Sequence, residues 1–195
     1  MNIKPSTQYV LLGSLMQGAK HGYDIKHFLE SNMEATWRVG TSQLYALLRR
    51  MEGKGLLRSN VEIQELRPSR RIYTITEKGR GLFLDWLLRP VPHPRDFRVE
   101  FMGKLFFLHH LPLPMAQELI DAQIRELCRV KETLEDVAER EADSFKRLVY
   151  GFKIEAVKGA LRWLLDQAKP FFENTRRPTK TGNTELKGGG RNCAR

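Results

Sequence analysis

The sequence predicts a mainly α fold with one small β-hairpin: a winged helix-turn-helix unit at the N-terminus and a helical domain behind it. Three observations carry this. Apolar residues recur at helical spacing in three successive segments, then switch to strict alternation from Leu57 to Ile63. A basic turn and a β-rich return segment follow. Beyond a proline-rich stretch, Leu127, Val130, Leu134 and Val137 recur at spacings of 3, 4 and 3, as in a coiled-coil seam.

Residues 7–17 read as the first helix, with Tyr9, Val10, Leu11, Leu12, Leu15 and Met16 apolar, and Gln17-Gly18-Ala19-Lys20 breaks it. His21 to Met33 reads as the second, packed through Tyr23, Ile25, Phe28 and Leu29. Thr41 to Lys54 is the third. With Leu44 set at zero and about 100° per residue, Leu47, Leu48 and Met51 fall within about 60° of it. Ser42, Gln43, Tyr45, Ala46, Arg49 and Arg50 cover the opposite side. A hydroxyl of Thr41 or Ser42 is expected to cap the start, and Gly53-Lys54-Gly55 to end the helix.

Leu57, Ser59, Val61 and Ile63 then alternate with Arg58, Asn60, Glu62 and Gln64, as in a half-buried strand. Glu65 to Arg70 reads as a turn region and Arg71 to Ile75 as the return strand. Thr76 is placed to cap a further helix carrying Leu82, Phe83, Trp86 and Leu87. The order is thus three helices, a basic hairpin and a helix. The third helix stands where a helix-turn-helix keeps its recognition helix, and Arg67, Arg70 and Arg71 sit at the wing, able to grip phosphate.

An isolated polar helix face or basic hairpin reads as solvated surface. Charge distribution argues for more. Residues 1–89 hold 14 Lys/Arg against 8 Asp/Glu, a net +6. Residues 90–173 hold 13 against 14, a net −1, and residues 174–195 hold 6 against 1, a net +5. The excess of the +10 chain lies on the N-terminal part and the tail, which implies an anionic partner, with double-stranded DNA first. Thr41, Ser42, Gln43, Tyr45, Arg49 and Arg50 on the third helix, Lys20 and Tyr23 near the second, and Arg67, Arg70 and Arg71 at the wing are the candidate contacts. Among these, Ser42, Gln43 and Arg49 are assigned to base edges and Thr41, Tyr45 and Arg50 to phosphate.

Several spaced motifs resemble the PadR-type transcriptional regulators over roughly residues 8–89. His21-Gly22-Tyr23-Asp24-Ile25 is similar to that family's H-G-Y-[ED]-I segment, and Leu44-Tyr45-Ala46-Leu47-Leu48-Arg49-Arg50-Met51-Glu52 to its L-Y-x-x-L-x-x-L-E. Arg71 to Gly79 resembles its R-x-Y-x-[LI]-T-x-x-G. Many members carry Pro-Ser where this chain has Arg38-Val39-Gly40-Thr41. The resemblance implies a DNA-binding regulator, often a repressor, and in some members release of DNA by a small aromatic or drug-like effector. Trp86, Phe106 and Trp163 are where such an effector pocket is sought, although plain core packing accounts for them too.

Three prolines within Arg89 to Arg95 mark a stiff linker over 90–97 between a winged-helix domain, 1–89, and a helical domain, 98–173. In the latter, Phe97 to His110, Met115 to about Glu141 and Phe145 to Phe171 read as helices. Phe145, Leu148, Val149, Phe152, Ala156, Ala160, Trp163 and Leu164 are placed on one side of the last. The seam of Leu127, Val130, Leu134 and Val137 is self-sufficient as a hairpin or pairs with a second copy. Resemblance to the longer, virulence-activator-like members favours the latter, a homodimer. The polar, Gly-rich 174–195 reads as a disordered basic tail.

No P-loop, dinucleotide fingerprint, metal-ligand spacing or nucleophile-base pattern is found, so neither an enzyme nor a cofactor is expected. Cys128 and Cys193 are isolated, and no apolar run approaches a membrane span, which fits a cytoplasmic protein. The sequence reading is a homodimeric, sequence-specific regulator on a pseudo-palindromic site. The alternatives are a winged-helix protein-interaction module and a nonspecific nucleic-acid binder.

Overall fold

The computed structural model describes residues 6–33, 37, 39–64 and 67–175. Helices α1 (Thr7–Ser14), α2 (Gly22–Met33) and α3 (Thr41–Gly53) come first. Strand β1 (Lys20–His21) lies between the first two; β2 (Leu57–Gln64), β3 (Arg67–Ile75) and helix α4 (Glu77–Leu88) follow. The C-terminal half holds α5 (Pro94–Asp96), a π-helical turn (Phe97–Phe101), α6 (Met102–His110), α7 (Ala116–Arg140), α8 (Ser144–Trp163), a second π-helical turn (Leu164–Ala168) and α9 (Lys169–Thr175). The predicted mainly helical class with a small antiparallel sheet is what the chain adopts.

The sheet has three strands rather than a bare hairpin, in the order β1-β3-β2. Lys20 and His21, expected as part of a break and a helix start, pair antiparallel with Tyr73 and Ile72. The wing pairs Leu57 with Ile75 and Glu62 with Arg70, with a register irregularity between Glu62 and Gln64. β3 begins at Arg67, so the turn expected over 65–70 is shorter than read.

Capping follows the sequence at α4 and departs from it at α3. The Thr76 hydroxyl accepts the Gly79 N–H at 3.1 Å, as foreseen. At α3 the N-cap is Gly40 and no side chain caps it, which leaves the Thr41 and Ser42 hydroxyls free of that task. At its C-terminus only Gly55, with φ of 69°, needs the left-handed region.

One hydrophobic core runs through both halves. It includes Leu11, Leu44, Leu48 and Phe83 from the first half and Phe101, Phe107, Leu119 and Val157 from the second. Phe107 of α6 stacks edge-on to Phe83 of α4 with ring centroids 5.3 Å apart. A Cβ added to Gly13 of α1 would lie 2.5 Å from the Phe107 ring, so glycine there permits α6 to seat against α1. The stretch read as a linker is itself packed: Val91 and Phe97 are buried.

The C-terminal helices revise the seam. Leu127 is buried within its own chain, while Val130 and Leu134 pack partly against the same core; Val137 is 40% exposed. Of the seam read as dimerising, Leu127 is therefore taken up by the chain's own core, while Val130, Leu134 and Val137 keep part of their surface open. On α8 the buried side is Ile154 and Val157, leading to Leu164 and Ala168. At about 100° per residue, Phe145, Leu148, Val149 and Phe152 fall on the opposite side. All four are exposed.

Candidate nucleic-acid interface

Helix α3 buries Leu44, Leu47, Leu48 and Met51 against the first-half core. That orientation forces the rest of the helix outward. Thr41, Ser42, Tyr45, Arg49 and Arg50 are exposed, and Gln43 is half-exposed. The six candidate contacts of this helix thus share its solvent side.

Tyr45 joins that face to α2. Its ring lies against Gly22, where an added Cβ would meet ring carbon at 2.6 Å and the hydroxyl oxygen at 2.9 Å. Glycine at position 22 makes that approach possible, a role the motif alone does not reveal. Around it the chain forms an open cleft of about 700 Å³ lined by His21, Gly22, Tyr23, Asp24, Tyr45, Arg70 and Arg71. The start of α2, the middle of α3 and the wing meet there. Tyr23 projects from it, 72% exposed, and stacks parallel to His27 at 6.4 Å. Asp24 Oδ2 accepts the His21 N–H at 3.3 Å, the reciprocal half of a capping box at the α2 start.

The wing arginines differ from one another. Arg70 is exposed, opposite Glu62 in the ladder. Arg71 is exposed too but tethered: its Nη1 lies 3.4 Å from Glu52 Oε2 at the end of α3. The other Glu52 oxygen accepts the Ser59 hydroxyl at 2.5 Å. Glu52 therefore ties β2 and β3 to the recognition-helix position, a role with no local signal because its partners lie 7 and 19 residues away. The side chain of Arg67 and residues 176–195 of the basic tail lie outside the described residues. Lys20 is half-exposed on β1, and Lys78 is engaged, its Nζ donating to the Lys54 carbonyl at 2.9 Å.

Below this face, burial raises the Tyr73 phenol above its ordinary pKa; nearby Arg71 works against the rise and Glu52 with it. The phenol stays neutral beneath the basic rim.

The aromatic residues where an effector pocket was sought are packed. Trp86 stacks parallel to Tyr9 at 5.1 Å, Trp163 meets Phe97 edge-on at 6.1 Å, and Phe106 contacts Phe28, Phe107 and His110. A different cleft, about 810 Å³, opens between residues 92–95 and the α7–α8 pair, with Val130, Leu134 and Phe152 in its lining. Among the described residues no group of His, Cys, Asp and Glu is arranged to hold a metal ion, and no helix is long and apolar enough to cross a membrane.

Comparison with known proteins matches residues 11–83 to the transcriptional regulator PadR-like family and residues 97–169 to the virulence activator alpha C-terminal family. The "Negative transcriptional regulator PadR" of Bacillus subtilis (strain 168) is 30% identical over 118 residues, covering 60% of this chain and 65% of that protein. The "Probable transcriptional regulator Rv1176c" of Mycobacterium tuberculosis is 28% identical over 90 residues, 46% of this chain and 48% of that one. The matched stretches thus span less than two thirds of either relative. A crystal structure of Bacillus subtilis PadR in complex with operator DNA aligns over 86% of this chain and 98% of that chain, at 26% identity and a TM-score of 0.46.

Proposed function

From the match of residues 11–83 to the PadR-like family of transcriptional regulators and of residues 97–169 to the virulence activator alpha C-terminal family, we propose that the chain is a sequence-specific, double-stranded-DNA-binding repressor acting as a homodimer on a pseudo-palindromic operator. The observation that carries the reading is the meeting of α3, the α2 start and the wing around one cleft, with the polar side of α3 turned to solvent. A helix so presented fits a major groove, where Ser42, Gln43 and Arg49 reach base edges. Thr41, Tyr45 and Arg50, with Lys20, Tyr23 and Arg70, serve phosphate.

Arg71 enters as a phosphate contact through its remaining donors, because one of its Nη groups is shared with Glu52. The net +6 of residues 1–89 supplies the long-range attraction.

Dimerisation is supported by the outward side of α8. Phe145, Leu148 and Phe152 form an apolar row at helical spacing, each about 70% exposed or more, with Val137 of α7 also open to solvent. An apolar row of this kind marks a protein contact. Two copies joined there would present two α3 helices to successive major grooves about 34 Å apart.

The test is selection from a random duplex library, followed by affinity measured against salt. A two-fold-symmetric winner bound at least about 10³ tighter than bulk DNA is expected. Binding with a steep salt slope and no enriched site would leave a nonspecific basic surface or a protein-interaction module instead.

A further inference from the structure

Between the reading face and the C-terminal helices the chain passes through Arg89, Pro90 and Val91. This short passage is held from two sides. Gln123 of α7 is fully buried and turns both ends of its amide to one residue: its Oε1 accepts the Val91 N–H at 2.7 Å, and its Nε2 donates to the Val91 carbonyl at 3.0 Å. From α6, Lys104 is 1% exposed, and its Nζ donates to the Arg89 carbonyl at 2.5 Å. The same amine lies 3.2 Å from Glu100 Oε1 and 4.9 Å from the centre of the Trp86 ring. Trp86 Nε1 donates to that Glu100 oxygen at 2.9 Å, which closes the group onto α4.

A buried cation and a buried amide are costly unless their partners are fixed. Methionine or leucine would fill either place without that cost. What the polar groups add is direction: the Gln123 amide has to meet both the N–H and the carbonyl of Val91, and the buried amine has to face the Arg89 carbonyl and Glu100 together. The exit of α4 is thereby locked to α6 and α7, and with it the angle between α3 and the exposed row on α8.

We infer that Lys104 and Gln123 are positioning residues that set the separation of the two reading helices in the dimer, and so the half-site spacing the protein accepts. The inference rests on the dimeric reading above. Rigid coupling of two binding units gives a sharp optimum in span, whereas a loosened joint flattens it. Neither residue belongs to the face proposed to meet DNA.

The experiment uses the full chain and the symmetric site recovered from the library. The spacing between half-sites is lengthened and shortened by one and two base pairs, and affinities are compared for wild type, Gln123→Leu and Lys104→Met. Wild type should prefer its own spacing by tenfold or more. Each variant should narrow that preference severalfold, while binding to a single half-site and self-association stay as in wild type. Variants that associate normally and keep the full spacing preference would overturn the inference.

A second measurement needs no variant. In wild type, hydrogen exchange at the Val91 amide should be as slow as in the core of α4. Exchange at the rate of an open loop would equally overturn the clamp. A wild type that selects no symmetric site defeats the dimeric reading, and the Val91 exchange then decides the clamp separately.

Discussion

Glu52 and Arg71, 19 residues apart in sequence, form an ion pair of 3.4 Å that joins the end of α3 to the wing. Partly exposed pairs contribute little to stability, about 0–1 kcal/mol. Its consequence is positional: Glu52 occupies one Nη of Arg71 and leaves only the remaining donors for phosphate. Glu52→Gln should therefore cost about 1 kcal/mol or less in urea unfolding. It should raise affinity for arbitrary DNA and steepen the salt slope by a fraction of the roughly one unit that a whole phosphate contact contributes. A cycle with Arg71→Ala tests the cause. If Glu52→Gln acts equally with and without Arg71, the restraint has no part in binding.

Arg49 lies on the exposed side of α3, with no ion-pair partner among the described residues. Arg49→Ala should weaken binding to the selected site by roughly 1–3 kcal/mol and relax preference at one base pair. Uniform loss across all DNA sequences would reassign it to phosphate.

Two glycines of α4 should respond with opposite signs. A Cβ on Gly79 would collide with the Leu56 backbone carbonyl, whereas one on Gly81 meets nothing within 4 Å. Gly79→Ala should destabilise by about 1–3 kcal/mol through forced backbone shifts. Gly81→Ala should stabilise by about 0.5–1 kcal/mol, as alanine does in a helix interior. Denaturant midpoints at equal slope decide both.

The two sides of α8 should separate association from folding. Phe152, 76% exposed, can become Asp with the monomer fold retained and the dimer lost in sedimentation. Ile154, on the buried side, should cost about 2 kcal/mol or more as Ala. A Phe152→Asp protein that still sediments as a dimer would move the contact elsewhere.

Tyr73 gives a pH signature. Its folded pKa is raised by burial above the ordinary 10.0. The unfolded phenol loses its proton first as pH rises, so this contribution is intact below about pH 10 and lost as pH climbs through the raised value. Tyr73→Phe should remove that part of the alkaline fall in stability. Identical alkaline profiles for the two proteins would refute it.

What the sequence makes legible follows from periodicity. Leu44, Leu47, Leu48 and Met51 define the buried side of α3 by spacing alone, and the polar side follows from it. Strand β1 escapes because two residues, Lys20 and His21, have no period to detect. On α8, apolar residues lie on both sides of the helix. Spacing finds Phe145, Leu148 and Phe152 but cannot tell that Ile154 and Val157 turn inward. Gln123 reads as one more polar residue on a charged helix, yet it is fully buried. Its role depends on Val91, 32 residues away.

The seating of Phe107 against Gly13 and Phe83 has an evolutionary corollary. A natural crossover that exchanged C-terminal halves between relatives at the proline-rich stretch would strip α6 from the wall it completes and bare the Gly13 surface. Recombination that keeps both parents' packing has its joint after Leu111, so that α6 is inherited with the reading face. Heating should report the same unity as a single cooperative melting transition, with no intermediate in which one half survives the other.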